Sequence, residues 1–599
     1  MLGMNLLLKS SERIIIVGFL ALTSTHMALA QQPLVRSPSS AIAIVNVSVI
    51  PMDRERVEAG QTVLVRGDRI VAIGAAGEVP VPGGATVIDG AGRYLVPGLT
   101  DAHVHLTTDM PWAPVRPDFG DAPLYLAYGV TTVVNLRGTP TQLEWRRRIE
   151  AGELLGPTIY TSGEFVNEPR VNTPEEVQRE IVAQAREGYD LIKFHEVWTP
   201  VAGYVTTTGL SLPAYLKMIE SAREEGIPLV GHAPVNLGLD VLLQTHQSLA
   251  HMGMLGNIYF LPVVSHFEFL LVTAGALVVL IVFVATCGVA ALIGRWRTAI
   301  RRRSATLSRV RSLTGWELLA GLLALACLAL FWPAGPLFES VTLRLVFTVL
   351  ALFIAAATVL LVVLTTKIWR NTNASMLARI QGSLVSIASL ALTCALAIFW
   401  VPISWRSTNS GIERLAKQLH DAGISVQTTL VVYEIPNARA RLRLIQDPAI
   451  NYLRADTRDR WHRLPQPRFP GYRYDAFMKK VTGALHRAGV SLVAGTDAMG
   501  LPLSAPGTSL HRELELLIES GLTPYQAIRA ATSNPALFLG KDQEFGTVAV
   551  GKRADLLLVG ENPLRDLTTL KDPIGVMVRG KWLEREELQR MLAALRAKG

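Results

Sequence analysis

His103 and His105 are separated by a single residue in the run Val96-Pro97-Gly98-Leu99-Thr100-Asp101-Ala102-His103-Val104-His105. On a strand, residues i and i+2 face the same side, so two imidazoles at this spacing can grip one metal ion. The pair alone does not establish a metal site, because surface and core histidines share the pattern. Four further groups fall at matching places. Lys193 ends the apolar run Asp190-Leu191-Ile192, His232 follows Pro228-Leu229-Val230, His251 follows Ser248-Leu249-Ala250, and Asp497 follows Leu492-Val493-Ala494-Gly495-Thr496. A lone buried lysine or aspartate is ordinarily half of a salt bridge. Six such groups, each ending a predicted strand, stand where barrel enzymes place their catalytic residues.

Those strands are short, apolar and rich in β-branched residues: Gly129–Leu136, Thr158–Ser162, Asp190–Phe194, Ile227–Val230, Ser425–Val432 and Val490–Ala494. Helical patterns separate several of them, at Pro213–Glu225, Gly411–Ala422, Tyr474–Ala488 and Leu510–Ser520. The alternation predicts a parallel α/β sheet, and its repeat number suits a closed (β/α)8 TIM barrel over residues 96–252 and 411–545, with a doubly wound sheet as the alternative. The flanks, 41–95 and 546–585, read as short strands with turns at Arg66-Gly67-Asp68 and Pro82-Gly83-Gly84, then Thr547–Val550, Asp555–Val559 and Val576–Val578. They predict a small β-domain built from both ends of the chain.

With these residues in view the chain resembles the amidohydrolase superfamily, in its imidazolonepropionase-like and prolidase-like branch. The resemblance rests on Pro97–His105, on Glu513-Leu514-Glu515, Thr523-Pro524, Ala530-Ala531-Thr532 and Asn534-Pro535, and on Gly546-Thr547 with Gly551–Leu556. It covers nearly everything outside residues 253–410. It implies two divalent cations, one held by His103, His105 and Asp497, the other by His232 and His251. Lys193 would bridge them as a carbamate formed with carbon dioxide, since a free ammonium would repel both ions. A metal-activated hydroxide would attack a carbonyl, with Asp497 shuttling the proton. Zinc suits such ligands, and manganese or cobalt would fit similar ones. His195 shares a face with Lys193 by strand alternation, which does not by itself make it a supporting or substrate contact. The sequence does not decide whether Asp101, His511 and Glu513 orient ligands or loops, while His246, His420, His462 and His486 read as ordinary surface or helix histidines.

The formal net charge is +9 and half of the residues are hydrophobic. Residues 253–410 hold twelve Lys/Arg against three Asp/Glu, which accounts for that whole excess. The remainder is close to neutral, without a basic patch interleaved with aromatics, so nucleic-acid binding is not expected. The same insertion contains four apolar stretches, Phe269–Ile293, Glu317–Pro333, Val341–Thr365 and Gly382–Ile403, and all three cysteines, Cys287, Cys327 and Cys394. They predict a transmembrane helical bundle of four spans. Arginines between spans one and two, and Lys367, Arg370 and Arg379 between spans three and four, place those loops in the cytoplasm. Lys9 and Arg13 before Ile14–Leu22 and Ala28-Leu29-Ala30 predict a signal peptide over residues 1–30, with an uncleaved anchor as the alternative. Both place the barrel on the outer, periplasmic side of the inner membrane.

The expected function is hydrolysis of amide C–N bonds, in dipeptides or N-acyl amino acids. Lactone or phosphoester hydrolysis at the same binuclear site, and a non-catalytic membrane receptor, are the alternatives. Because the insertion starts just after His251, the site's mouth is expected near the outer membrane surface, open to a lipophilic amide substrate from the bilayer. A tethered dipeptidase with small soluble substrates stands beside it.

Overall fold

The computed structural model describes residues 41–108, 114–197, 207–260, 341–372, 374–465 and 474–598, together with residues 309, 313 and 316. The signal-peptide reading over residues 1–30 and the first two apolar stretches, Phe269–Ile293 and Glu317–Pro333, lie outside the described residues.

The two flanks form one eight-stranded sheet. Ile42–Val49, Glu58–Arg66, Arg69–Ala75, Thr86–Asp89 and Tyr94–Pro97 come from the N-terminal side, and Leu556–Val559, Gly575–Val578 and Lys581–Glu584 from the C-terminal side. Antiparallel pairing of Tyr94–Pro97 with Leu556–Val559 joins the halves, with Val96 opposite Leu557. Ile44, Val47, Val63, Leu95, Leu556 and Met577 fill its core. Thr547–Val550, expected as a strand, is irregular. Gly546 and Gly551, both at positive φ, bracket it, and only Val548 is tied back, donating its N–H to Pro51 O at 3.0 Å.

The barrel strands are β1 (Leu99–Val104), β2 (Val130–Asn135), β3 (Thr158–Thr161), β4 (Ile192–Phe194), β5 (Leu229–Gly231), β6 (Ser248–Leu249), β7 (Val426–Gln427) and β8 (Leu492–Val493). All pair in parallel in that order. Single bridges, Ser162 with Leu191 and Val104 with Ala498, join β3 to β4 and β8 to β1. The sheet therefore closes. Every residue of β1 and β2 is buried, as parallel strands covered on both faces require. The enclosing helices have legible ends. Pro174–Glu187 starts on a Thr173/Glu176 capping box with proline at its first position and stops at left-handed Gly188.

β7 is shorter than the expected Ser425–Val432. Thr429 takes φ +44 and Leu430–Glu434 is helical. Glu513 causes the break, accepting hydrogen bonds from Thr428 Oγ1 and from the N–H of Val431. A C-terminal helix, Arg585–Lys598, for which no expectation was drawn, packs Leu588 and Leu595 into the main core.

Val341–Thr365 lies within the helix Val341–Arg370, and Gly382–Ile403 within Met376–Arg406. Among the described residues one segment, Leu345–Arg370, is long and apolar enough to cross a membrane. The two helices run antiparallel. Thr358 Oγ1 lies 3.1 Å from Ser389 Oγ, Thr365 Oγ1 lies 2.9 Å from Ser386 Oγ, and Trp369 Nε1 donates to Ser383 Oγ at 3.0 Å. The stems of the insertion are part of the barrel packing. Tyr259 Oη donates to Gly411 O at 2.9 Å, and Arg406 Nη1 donates to Tyr259 O at 2.9 Å.

Candidate active site

All six expected donors converge at the C-terminal ends of the barrel strands. The ring centroids of His103 and His105 are 5.4 Å apart, His103 and His251 4.2 Å, and His232 and His251 5.2 Å. Asp497 Oδ1 lies 3.0 Å from His105 Nε2 and 3.7 Å from His103 Nε2. Ligand atoms of His103, His251 and Asp497 all fall within 4.8 Å of one another. The His251 ring lies near both His103 and His232.

Local backbone geometry aims these groups. His251 and Asp497 take left-handed conformations, φ +64 and +56, which turn each side chain over the mouth just beyond its strand. Gly495 allows β8 to approach β1: a Cβ there would lie 2.6 Å from His103 Cβ. Asp101 fastens the same seam. It accepts hydrogen bonds from Thr496 Oγ1 at 2.6 Å, Thr496 N at 3.0 Å and His103 N at 3.3 Å.

Three neighbours that the sequence reading did not single out hold the imidazoles. Gln427 donates Nε2–H to Ala102 O at 2.8 Å, so its Oε1, 3.0 Å from His103 Nδ1, must accept from that ring. The backbone carbonyl of Glu196 likewise accepts from His232 Nδ1 at 2.8 Å. Both rings then carry an acceptor lone pair on Nε2, the tautomer a metal ligand needs. Thr429 Oγ1 lies 3.1 Å from His251 Nδ1. Gln427 and Thr429 were hidden inside the over-long expectation for β7; a polar residue at a strand's C-terminal end was their only signal.

His195 ends β4 beside Lys193, as alternation implies. Its ring stacks on Phe165 at 4.2 Å and sits 4.2 Å from His232, with Nδ1 2.7 Å from Thr207 Oγ1. His511 is buried and its Nε2 lies 2.8 Å from Tyr128 O, a loop contact away from the donors. His246, His420 and His462 are exposed and His486 is partly so.

Burial dominates the electrostatics. It pushes His103, His195, His232 and His251 well below the ordinary imidazole range, with like-charged neighbours adding to the shift. Lys193 is brought down to about 7 by burial, Asp497 opposing. Asp101 is raised to about 7 by burial, its hydrogen bonds with Thr496 and His103 opposing. Among the described residues, His103 Nε2, His105 Nδ1, Lys193 Nζ and Asp497 Oδ1 are buried without a hydrogen-bond partner. Each such atom costs about 1–3 kcal/mol. Several in one pocket, with imidazole and carboxylate donors, fit divalent cations.

Residues 401–583 match the Amidohydrolase family. The chain is 36% identical to ochratoxinase of Aspergillus niger over 104 residues, 17% of this chain and 20% of that protein. It is 33% identical to adenine deaminase of Rubrobacter xylanophilus over 126 residues, 20% and 21% of the two chains. The matched stretch spans about a fifth of these relatives' length. Among solved structures the fold is similar to molinate hydrolase, with TM-score 0.53 and 15% identity over 92% of this chain and 96% of that one. A Xaa-Pro dipeptidase with bound methionine gives TM-score 0.50 and 14% identity over 91% and 100%. The likeness to these structures shows the fold, a TIM-barrel-like α/β domain with a β-domain.

Proposed function

We propose that this chain is a metal-dependent hydrolase of amide C–N bonds, acting on dipeptides or N-acyl amino acids. The observation that carries the reading is the close approach of His103, His251 and Asp497, with His105, Lys193 and His232 beside them, at the C-terminal end of a closed barrel, several of these polar atoms being buried without hydrogen-bond partners among the described residues. The family match over residues 401–583, and relatives named ochratoxinase and adenine deaminase, support C–N bond hydrolysis.

The residues divide the work. His103 and His232 present Nε2, each fixed through Nδ1, and His105, His251 and Asp497 complete the donor set for two divalent cations. Lys193, near neutrality because it is buried, supplies the uncharged amine that carbon dioxide would convert to a bridging carbamate. When bound, the cations supply a hydroxide nucleophile near neutral pH and polarise the scissile carbonyl. Asp497, beside His103 and His105, receives the nucleophile's proton and returns it to the leaving nitrogen.

The chain is further proposed to be membrane-anchored, with the barrel outside and residues 1–30 directing export. The apolar segment Leu345–Arg370 and the basic Lys367, Arg370 and Arg379 at its hairpin turn support this orientation. Metal analysis of the purified protein, with rate assays on amide, lactone and phosphoester panels, tests the catalytic reading. Two divalent ions per chain and preferential amide turnover are expected. A metal-loaded protein that turns over only lactones or phosphoesters, or nothing, would overturn it.

A further inference from the structure

The helix pair Val341–Arg370 and Met376–Arg406 buries the hydroxyls of Thr358, Thr365, Ser386 and Ser389 beside Leu361 and Val385, and leaves much of its remaining aliphatic surface exposed. Thr358 Oγ1 lies 2.8 Å from Thr393 Oγ1, and Thr365 Oγ1 donates to Gly382 O at 3.1 Å, inside the pair. Leu345, Val349, Leu352, Val359, Ile387 and Leu390 are exposed. Residues 345–366 and 380–405 contain no charged side chain. This is the inverse of a helix pair built for water.

Two exposed tryptophans close the apolar band. Trp369 is 45% exposed and Trp405 42%. The bond from Trp369 to Ser383 levels that ring with Ser383 on the second helix. From 383 to 405 the helix advances about 33 Å at 1.5 Å per residue, against about 30 Å for a bilayer's hydrocarbon core. Each tryptophan carries a guanidinium, Arg379 5.6 Å from the Trp369 ring and Arg414 4.7 Å from that of Trp405. An aromatic ring paired with a cation at each end is the pattern of a membrane–water boundary.

The Trp405 end is joined to the catalytic face. Arg406, next in sequence, donates to Tyr259 O and lies over the Tyr259 ring at 5.3 Å. Tyr259 bonds Gly411 at the start of the helix Asn409–Asp421, which leads into β7. The segment holding Tyr259 runs directly from His251, and Gly253 N donates to Tyr433 Oη beside Thr429.

We propose that Trp369 and Trp405 mark the two edges of one bilayer. The barrel's mouth opens at the edge marked by Trp405, and the substrate is an amphiphilic amide whose apolar chain stays in that leaflet while its polar end reaches the metal site. The proposal rests on the amide-hydrolase reading above. Each methylene of such a chain deepens its partition into the leaflet, about fourfold, so turnover of vesicle-borne substrate depends on chain length.

The test uses the full-length protein in phosphatidylcholine vesicles. Flotation after an alkaline wash reports anchoring. In a background with Cys287, Cys327 and Cys394 replaced by serine, Asn409→Cys and Ser375→Cys should react with a membrane-impermeant maleimide from opposite sides, and Ile387→Cys from neither. Labelling of Ile387→Cys from water, or of the other two from one side, overturns the register even where the protein floats. Loss of flotation overturns the membrane reading itself. With an N-acyl amino acid series, kcat/KM should rise by up to about fifteenfold per two methylenes, the partition gain of two CH2 groups. A flat profile with active enzyme overturns the amphiphile; no turnover of any amide by metal-loaded protein fails the hydrolase reading instead.

Discussion

Oγ1 of Thr429 lies 3.1 Å from Nδ1 of His251, and both residues hold left-handed backbones, φ +44 and +64. A β-branched residue at positive φ is a strained choice, held here because Glu513 grips Thr428 and Val431 on either side. Thr429→Val keeps the branch and removes the hydroxyl. It should lower metal affinity at the His251 position about 10–100-fold, with Tm little changed. Calorimetric titration with zinc checks this; two sites of unaltered affinity would show that the contact does not orient His251.

Asp497→Ala should abolish turnover while part of the metal remains, because His103, His105, His232 and His251 still supply donors. Metal content and kcat measured on the same preparation decide the matter. Full activity in the variant would remove Asp497 from the proton path.

Lys193→Ala should abolish binuclear binding, and raised bicarbonate should speed reconstitution of the wild-type apoprotein, since burial leaves part of the amine neutral near pH 7. A variant that still holds two ions excludes the carbamate bridge.

Glu513 is raised to about 7 by burial, its hydrogen bonds opposing. An unfolded glutamate titrates near about 4.3. Between those values the folded protein binds more protons at this residue than the unfolded chain does, so its contribution to stability falls as pH rises and is lowest above about 7. Glu513→Gln lacks this titration. The Tm of the variant relative to wild type should therefore climb from about pH 5 to about pH 7.5. A constant difference across that range would show that Glu513 keeps one protonation state.

The barrel was legible because its strands are apolar runs, and His103, His105, Lys193, His232, His251 and Asp497 lie within or just beyond the strands those runs predicted. The β-domain was legible through its turns, although Thr547–Val550 copies strand composition while Gly546 and Gly551 bend it out of the sheet. What the sequence hid is non-local. Nothing near Thr429 announces that Glu513, distant along the chain, will break β7, or that Gln427 will meet Ala102 and His103 across the barrel.

The barrel closes between β8 and β1 through the bridge of Val104 with Ala498 and through backbone hydrogen bonds from Ala102 N to Ala494 O at 3.0 Å, His105 N to Ala498 O at 2.9 Å and Asp497 N to His103 O at 2.7 Å, supported by Asp101 holding Thr496. His103 and His105 lie on one side of that seam and Asp497 on the other, so a cation shared by them would also clasp the joint that completes the ring. The strand that completes the ring is also the last of the eight to leave the ribosome. Under the proposed assignment, a chain stalled after β7 would hold five of the six expected donors, without Asp497 and without a closed ring.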